Sequence, residues 1–286
     1  MTTRRLSLEA LPICVVACNM TIAPFSWSQA TQQRHDFCLS IIKTLAQYQC
    51  RYTVNSQDIA IKSDASPVSI ADIESERIFR DAVTREFASD SVQGEELGQT
   101  EPSQFNWVID PIDGTRKFIR GIPTWGISIA LEYRGHVVAA AICLPATGDV
   151  WSAVYQQGAF KNNQPIQVSE VAEINDAYIT TSARKYFVEI GQQACYDAVH
   201  CQALHDPGFL DVYSFAMLCD GRIDGIVSCQ DHWWDIAAAT LILSESGGCY
   251  HFSSEQDRPD NGVNIFTNGK LRNQLSTLIN TKEVQI

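Results

Sequence analysis

Positive charge is scarce in this sequence. Its 286 residues include 33 Asp and Glu but only 21 Lys and Arg, which gives a formal net charge of -12 and a pI near 4.9. Nucleic acids and anionic membrane surfaces are bound mainly through basic surfaces. The composition therefore argues against both as partners. Hydrophobic residues make up 45% of the chain, which is enough to bury a substantial core, as one large domain or as two closely packed ones.

The cysteines lack any metal-binding or redox pattern. All ten are scattered, without a Cys-x-x-Cys pair and without the His and Cys spacing of a zinc site. We therefore expect reduced, mostly structural thiols. Beyond the N-terminal region, no stretch approaches the roughly 20 consecutive apolar residues that span a bilayer. We expect a soluble, cytoplasmic protein.

The N-terminal region leaves an alternative open. Arg4 and Arg5 precede an apolar stretch at 11–20, as they would in a signal peptide. Pro12 and Pro24 break up this region, which argues against such a signal. We treat it as an extension of unknown role.

Neither a repeat nor a Pro- or Gly-rich linker divides the chain, so its parts must pack tightly. Hydrophobic periodicity predicts helices at 32–49, 71–87, 188–199, 213–219 and from Asp235 to Gly247, and strands at 105–109, 127–132, 136–143, 150–155, 165–168, 178–181 and 223–227. These elements predict a mixed α/β protein. We divide it into the extension at 1–30, a sheet-rich α+β part at 31–170 and an alternating α/β part at 171–286.

The run Asp110-Pro111-Ile112-Asp113-Gly114-Thr115 carries the strongest chemical signal. A predicted buried strand ends at Asp110, and Pro111 forces a turn, so Asp110 and Asp113 can face one cleft. Their carboxylate oxygens suit Mg²⁺ or Mn²⁺ better than zinc. The alternative is that each aspartate only caps a turn.

Two more acidic positions favour a metal site. Gly94-Glu95-Glu96 places two carboxylates in a glycine-flanked loop, and Asp235 heads an otherwise apolar helix. Taken singly, a glutamate pair in a loop is usually solvated, and an aspartate at a helix start is usually a cap. Together with 110–115 they predict clustered carboxylates. Cations bound there would let an acidic protein hold an anionic ligand.

The order of these motifs resembles the inositol monophosphatase superfamily. Gly94-Glu95-Glu96, then Asp110 to Thr115, then Trp234-Asp235 with its apolar helix are similar to that family's three metal-binding motifs, and 62–72 is similar to its first segment. The resemblance covers roughly residues 31–270. It implies a layered αβαβα sandwich, a homodimer, and a phosphomonoesterase that uses two or three Mg²⁺ ions, with Mn²⁺ as a substitute.

The resemblance also implies the metal ligands. One ion would be held by Glu95, Asp110 and the main-chain carbonyl of Ile112. A second would be shared by Asp110, Asp113 and Asp235. Paired ions can polarise a phosphoryl group and lower the pKa of a bound water, so no protein nucleophile is required.

Catalytic and phosphate-binding roles follow from the same resemblance. The hydroxyl of Thr115, oriented by Asp72 and assisted by Glu95, would activate the attacking water. The backbone N–H groups of Gly114 and Thr115 would meet the phosphate at the start of a short helix. Gly114 permits the close approach because it lacks a side chain.

Within the family, the sequence favours histidinol phosphate as the substrate. The segments 115–119 and 121–126 look more like the histidinol-phosphate phosphatase branch, and Asp211-Val212-Tyr213 resembles that branch's aspartate-x-tyrosine signature. A carboxylate at Asp211 could pair with the substrate's amino or imidazole group, or it could only cap a helix. The family's acidic substrate-binding residue aligns with Ser228.

Three alternatives stay open. Inositol monophosphate is one, and 3′-phosphoadenosine 5′-phosphate is another because Arg116 and Lys117 could favour an extra phosphate. The third is a catalytically silent binding protein of the same fold. Such a protein would be expected to lose a ligand or the activating threonine, and this chain keeps them all.

Overall fold

The computed structural model describes residues 29–52, 58–62, 67–208, 211–253, 259 and 262–279. The prediction of an extension at 1–30 lies almost entirely outside these residues, as does the question of a signal peptide. Among the described residues, no helix is long and apolar enough to cross a membrane.

The described chain contains both helices and strands, with the strands β6 to β10 in succession in its middle part. The helices are α1 (Gln29–Arg51), α2 (Ile70–Glu86), α3 (Thr115–Phe118), α4 (Arg184–Glu189), α5 (Gln193–Gln202), α6 (Asp211–Cys219), α7 (Trp233–Glu245) and α8 (Arg272–Ile279). The strands are β1 (Ile59–Ile61), β2 (Pro67–Ser69), β3 (Ser91–Gly94), β4 (Gly98–Gln99), β5 (Phe105–Asp113), β6 (Gly126–Tyr133), β7 (His136–Leu144), β8 (Asp149–Val154), β9 (Gly158–Lys161), β10 (Gln164–Pro165), β11 (Ile179–Thr181), β12 (Gly225–Cys229), β13 (Cys249–His251) and β14 (Val263–Thr267).

Two large sheets form the frame. The first has eight strands in the order β10-β9-β8-β7-β6-β5-β3-β4, with β3 parallel to β5 and the other pairs antiparallel. The second has four strands in the order β11-β12-β14-β13, and only β11 and β12 are parallel. The short strands β1 and β2 pair as a separate antiparallel hairpin.

The layers confirm the predicted αβαβα sandwich. Helices α1 and α2 pack on one face of the eight-stranded sheet, around Ile42, Phe79 and Trp107. Helices α6 and α7 lie between the two sheets, and α5 and α8 cover the outer face of the small sheet. Helix α7 is buried continuously from Ile236 to Leu243, as expected for a helix that is apolar all round.

Most predicted elements are present, with three corrections. The predicted strand at 165–168 is wrong, because β10 ends at Pro165: the N–H of Ile166 still bonds to Ala159 of β9, but the N–H of Val168 bonds to the carbonyl of Ser246 instead. The predicted helix at 188–199 is two helices, broken where Gly191 adopts a φ of 71°. Strand β5 does not end at Asp110 but continues through Pro111 to Asp113, past an irregularity in its pairing with β6. The division at 170 stays a prediction.

Candidate active site

The run Asp110 to Thr115 forms the end of β5 and the start of α3. Asp110 is 2% exposed, and its Oδ1 accepts a 3.0 Å hydrogen bond from the backbone N–H of Ile112. The Thr115 hydroxyl lies 3.1 Å from the Ile112 carbonyl oxygen, which is one of two acceptors within reach of its single proton. Asp113 Oδ2 accepts a 2.6 Å bond from the N–H of Val212 at the start of α6. The irregular strand end therefore holds two buried aspartates beside an α6 amide.

The predicted acidic residues share one electrostatic region. Burial raises the pKa of Asp110 well above its ordinary value, and the charges of Glu95, Asp113 and Asp235 raise it further. Burial likewise raises the pKa of Asp113 and of Asp235, again assisted by neighbouring carboxylates. Mutual repulsion in a site sheltered from water favours anything that brings positive charge to it.

Glu95 lies in the turn between β3 and β4 and is bound by a lysine. Lys62, at the end of β1, places its Nζ 2.7 Å from Glu95 Oε1 and 2.7 Å from Glu96 Oε1. Although burial would lower the pKa of Lys62, its hydrogen bonds to both glutamates raise it. Burial raises the pKa of Glu96 to about 7 against the opposing effect of Lys62. The sequence analysis gave no role to Lys62, and its position in the segment 62–72 was the available signal.

Asp72 and Thr115 meet as predicted. Thr115 Oγ1 donates a 2.9 Å hydrogen bond to Asp72 Oδ1. The other oxygen of Asp72 accepts hydrogen bonds from the backbone N–H and the hydroxyl of Ser69, which caps α2. Asp72 is fully buried, and burial raises its pKa to about 6 despite these donors.

Gly114 takes a conformation that few other residues adopt. It caps α3 with a φ of 92°, in the left-handed region. A Cβ at this position would lie 3.0 Å from Asp211 Oδ2 and 3.3 Å from Trp125 Cβ. The predicted short helix is present, and the close approach of a phosphate to Gly114 stays a prediction.

Asp211 begins α6 and faces a cation of the protein itself. Its Oδ2 lies 2.9 Å from Lys117 Nζ on α3. The two predicted roles of Asp211, pairing with the substrate or capping α6, stay predictions. Ser228 donates a 2.6 Å hydrogen bond to Asp231 Oδ2, so the position that aligns with an acidic residue of the family is linked to a nearby aspartate. Asp231 was missed.

Asp235 occupies the third position of α7 rather than its cap. Its Oδ2 accepts a 2.7 Å hydrogen bond from the N–H of His232, which is the N-cap residue. Asp235 therefore stabilises the start of α7, and its role as a metal ligand stays a prediction.

The donor set fits hard divalent cations in its chemistry. Four carboxylates, three of them with pKa values raised by burial, provide oxygen ligands and an excess of negative charge. Within the ranges that the structure describes, no three Asp, Glu, His or Cys side chains are grouped as a preformed metal cage. Lys62 and the backbone amides of Val212 and His232 engage the ligand oxygens instead.

Comparison with known proteins decides the family. A sequence model described as the inositol monophosphatase family matches residues 31–282. The chain belongs to this family. Among its curated relatives, Histidinol-phosphatase from Chlorobaculum parvum is 34% identical over 68% of this chain and 75% of that protein. Histidinol-phosphatase from Streptomyces coelicolor is 30% identical over 81% and 91%. Inositol-1-monophosphatase from Rhizobium meliloti is 31% identical over 68% and 75%.

A solved structure supports the fold assignment. The extragenic suppressor protein suhB from Bartonella henselae matches with a TM-score of 0.77 at 24% identity, over 87% of this chain and 98% of that one. This member of the inositol monophosphatase family is therefore a phosphoric monoester hydrolase that acts on small phosphate monoesters. Enzymes of the family are generally metal-dependent. Relatives carry both histidinol-phosphatase and inositol-1-monophosphatase names, so membership gives the reaction but not the alcohol.

Proposed function

We propose that this hydrolase is Mg²⁺-dependent and releases phosphate from histidinol phosphate. The observation that carries the reaction is the Thr115–Asp72 hydrogen bond beside the repelling carboxylates of Asp110, Asp113 and Asp235. A pair that can orient water beside a set of oxygen ligands is the geometry that metal-assisted hydrolysis needs.

Glu95, Asp110, Asp113 and Asp235, with the Ile112 carbonyl, are the residues that would hold Mg²⁺. When bound, the ions supply positive charge that attracts the phosphate ester, polarises it and lowers the pKa of water. Lys62, whose Nζ lies 2.7 Å from Glu95 Oε1, would compete with a cation for that oxygen. We propose that two or three Mg²⁺ ions bind and that Mn²⁺ can replace them.

Thr115 and Asp72 would orient the attacking water. With Asp72 ionised, its Oδ1 accepts the Thr115 hydroxyl hydrogen, which leaves a lone pair on Oγ1 to accept a hydrogen bond from water. Glu95 would assist from the neighbouring turn. The backbone N–H groups of Gly114 and Thr115 would meet the phosphate, and a side chain at Gly114 would press on Asp211 and Trp125 beside them.

Asp211 supports histidinol phosphate as the substrate. Its carboxylate lies beside Gly114, so it can reach the part of a substrate that extends from a phosphate held there. The ammonium or imidazolium group of histidinol phosphate would displace Lys117, which now occupies this carboxylate. Two histidinol-phosphatases among the relatives agree with this assignment.

Inositol 1-phosphate is the second candidate. The Lys117–Asp211 ion pair favours it, because a neutralised carboxylate no longer selects for a cationic alcohol. The same ion pair argues against 3′-phosphoadenosine 5′-phosphate, since Lys117 is then engaged and not free to bind an extra phosphate.

The deciding assay measures phosphate release with Mg²⁺ from histidinol phosphate, inositol 1-phosphate, fructose 1,6-bisphosphate and 3′-phosphoadenosine 5′-phosphate. We expect histidinol phosphate to exceed the others by tenfold or more in kcat/KM, about 1.4 kcal/mol in transition-state binding. Chelation and Asp113→Asn should each abolish release, whereas Asp36→Asn, at an exposed position of α1, should not. Turnover by Asp113→Asn at the wild-type rate would contradict the metal assignment.

We also propose that the protein is a homodimer and that it is located in the cytoplasm. Sedimentation equilibrium at assay concentrations tests the dimer, and fractionation of cells that express the full chain tests the location. A monomer, or recovery in the membrane or secreted fraction, would contradict the corresponding part.

A further inference from the structure

One buried carboxylate near the site has no role in the reaction described above. Glu76 lies on α2, one helical turn after Asp72, and its side chain is 0% exposed. Glutamate is almost never buried so completely unless it is paired. Its partners therefore indicate what it does.

Glu76 binds the turn that carries Glu95. Its Oε2 accepts a 2.8 Å hydrogen bond from the N–H of Glu96, and its Oε1 accepts a 3.2 Å bond from the N–H of Leu97. Both amides belong to the turn between β3 and β4, whose strands pair at Gly94 and Gly98. The carboxylate sits against successive backbone N–H groups as an anion does in a concave turn.

Gly94 and Arg80 pack tightly against the contact between Glu76 and the turn. A Cβ at Gly94 would lie 2.1 Å from Glu76 Oε1, so no larger residue leaves room for the carboxylate. Arg80 donates a 2.8 Å hydrogen bond from Nε to Oε1 and also binds the carbonyl of Gly98 at the far end of the turn. Every partner of Glu76 is a donor, which suits an ionised carboxylate and not an amide.

We propose that Glu76 is a positioning residue that fixes Glu95 for cation binding. The proposal rests on the proposed function, in which Glu95 is a metal ligand. Glu76 acts on the backbone of the turn, and the turn determines where the Glu95 carboxylate lies relative to Asp110. Outer residues that orient metal ligands typically contribute about 10–100-fold to metal affinity or activity. Its charge-assisted hydrogen bonds are of the stronger kind, so their loss should release the turn.

The variant Glu76→Gln tests this role. Glutamine has nearly the same volume, but its NH₂ group would face an N–H donor, either in the turn or on Arg80, where the carboxylate now accepts a hydrogen bond. We expect Mn²⁺ binding, measured by calorimetry without substrate, to weaken about tenfold or more, and the Mg²⁺ activation constant to rise by a similar factor. Glu76→Asp, which keeps the charge on a shorter stem, should recover part of the affinity. Glu86→Gln, at an exposed position of the same helix, is the matched control and should bind Mn²⁺ like the wild type.

Each outcome decides a separate question. Unchanged Mn²⁺ affinity in a folded Glu76→Gln variant overturns the positioning role, and so does equal weakening in the Asp and Gln variants, since that indicates packing alone. If Glu76→Gln does not fold, Gly94→Ala displaces the carboxylate from the turn without removing it, and wild-type affinity there also overturns the role. A wild type that binds Mn²⁺ but releases no phosphate would contradict the proposed function and leave the Glu76 comparison intact.

Discussion

Thr115 Oγ1 donates a 2.9 Å hydrogen bond to Asp72 Oδ1, and the other oxygen of the same carboxylate caps α2 through Ser69. Asp72 therefore links the start of α3 to the start of α2. Removing Asp72 would disturb a helix terminus as well as the orientation of Thr115. Thr115 is consequently the better position at which to test the chemistry alone.

We expect Thr115→Val to lower kcat by about a hundredfold or more without unfolding the protein, because positioned proton-transfer groups contribute about 10²–10⁴-fold. Valine keeps the shape but cannot hydrogen-bond to Asp72 or to water. Thr115→Ser keeps the hydroxyl and should retain most activity. Steady-state kinetics with histidinol phosphate make the comparison, and equal losses in the two variants would argue against a role for the hydroxyl.

The pKa of Asp72 predicts a pH-dependent stability in the metal-free protein. Burial raises it from 3.8 to about 6, so the folded state holds the proton more tightly than the unfolded chain. Well below pH 3.8 both states are protonated and the shift has no cost. Above pH 6 both are ionised and the fold is destabilised by up to roughly 3 kcal/mol, at 1.36 kcal/mol per pKa unit.

The variant Asp72→Asn removes this titration. We expect its free energy of unfolding relative to the wild type to rise by up to roughly 3 kcal/mol between pH 4 and pH 7. Urea unfolding in the presence of a chelator measures the difference at each pH. A difference that is constant across this range would mean that the Asp72 pKa is not raised in the folded protein.

Asp211→Asn should change substrate preference more than overall activity. The variant loses the negative charge that would bind the cationic part of histidinol phosphate, an interaction worth about 1.5–3 kcal/mol for a charged hydrogen bond. We expect kcat/KM to fall about tenfold or more for histidinol phosphate and much less for inositol 1-phosphate. Equal falls for both esters would indicate that Asp211 serves α6 and not the substrate.

Gly114 and Gly121 form a matched pair of left-handed glycines. Their φ values are 92° and 68°, but a Cβ would meet Asp211 and Trp125 at Gly114 and nothing within 4 Å at Gly121. Alanine should cost about 1–2 kcal/mol of stability at either site for the backbone conformation. Gly114→Ala should cost more in urea unfolding, because of the close contacts, and only this variant should lose activity. Equal stability and activity in the two variants would contradict the close-approach role.

Local patterns were enough to predict much of the site. Strand β5 and helix α7 are long, strongly apolar segments, so both could be predicted, although β5 runs three residues past Asp110 and α7 begins two residues before Asp235. The αβαβα layering came from the resemblance to a family rather than from periodicity. The family comparison and the two packed sheets confirm it.

Contacts between segments that are distant in the chain could not be predicted from the sequence. Strands β3 and β4 are too short for periodicity to reveal, so the glycine-flanked glutamates were expected in a loop rather than in a hairpin turn beside β5. The Lys62–Glu95 ion pair joins distant segments, and nothing in either segment specifies the other. Glu76 shared a helical face with Asp72, but only the folded turn shows which amides it binds.

The position of α7 between the sheets also determines when the site can form during protein synthesis. During synthesis, Asp110 and Asp113 leave the ribosome long before Asp235, which joins them only when α7 packs against the completed eight-stranded sheet. A partly made chain therefore holds an unfinished set of ligands. A cation held by the proposed ligands would therefore stabilise molecules in which α7 is packed over those in which it is not.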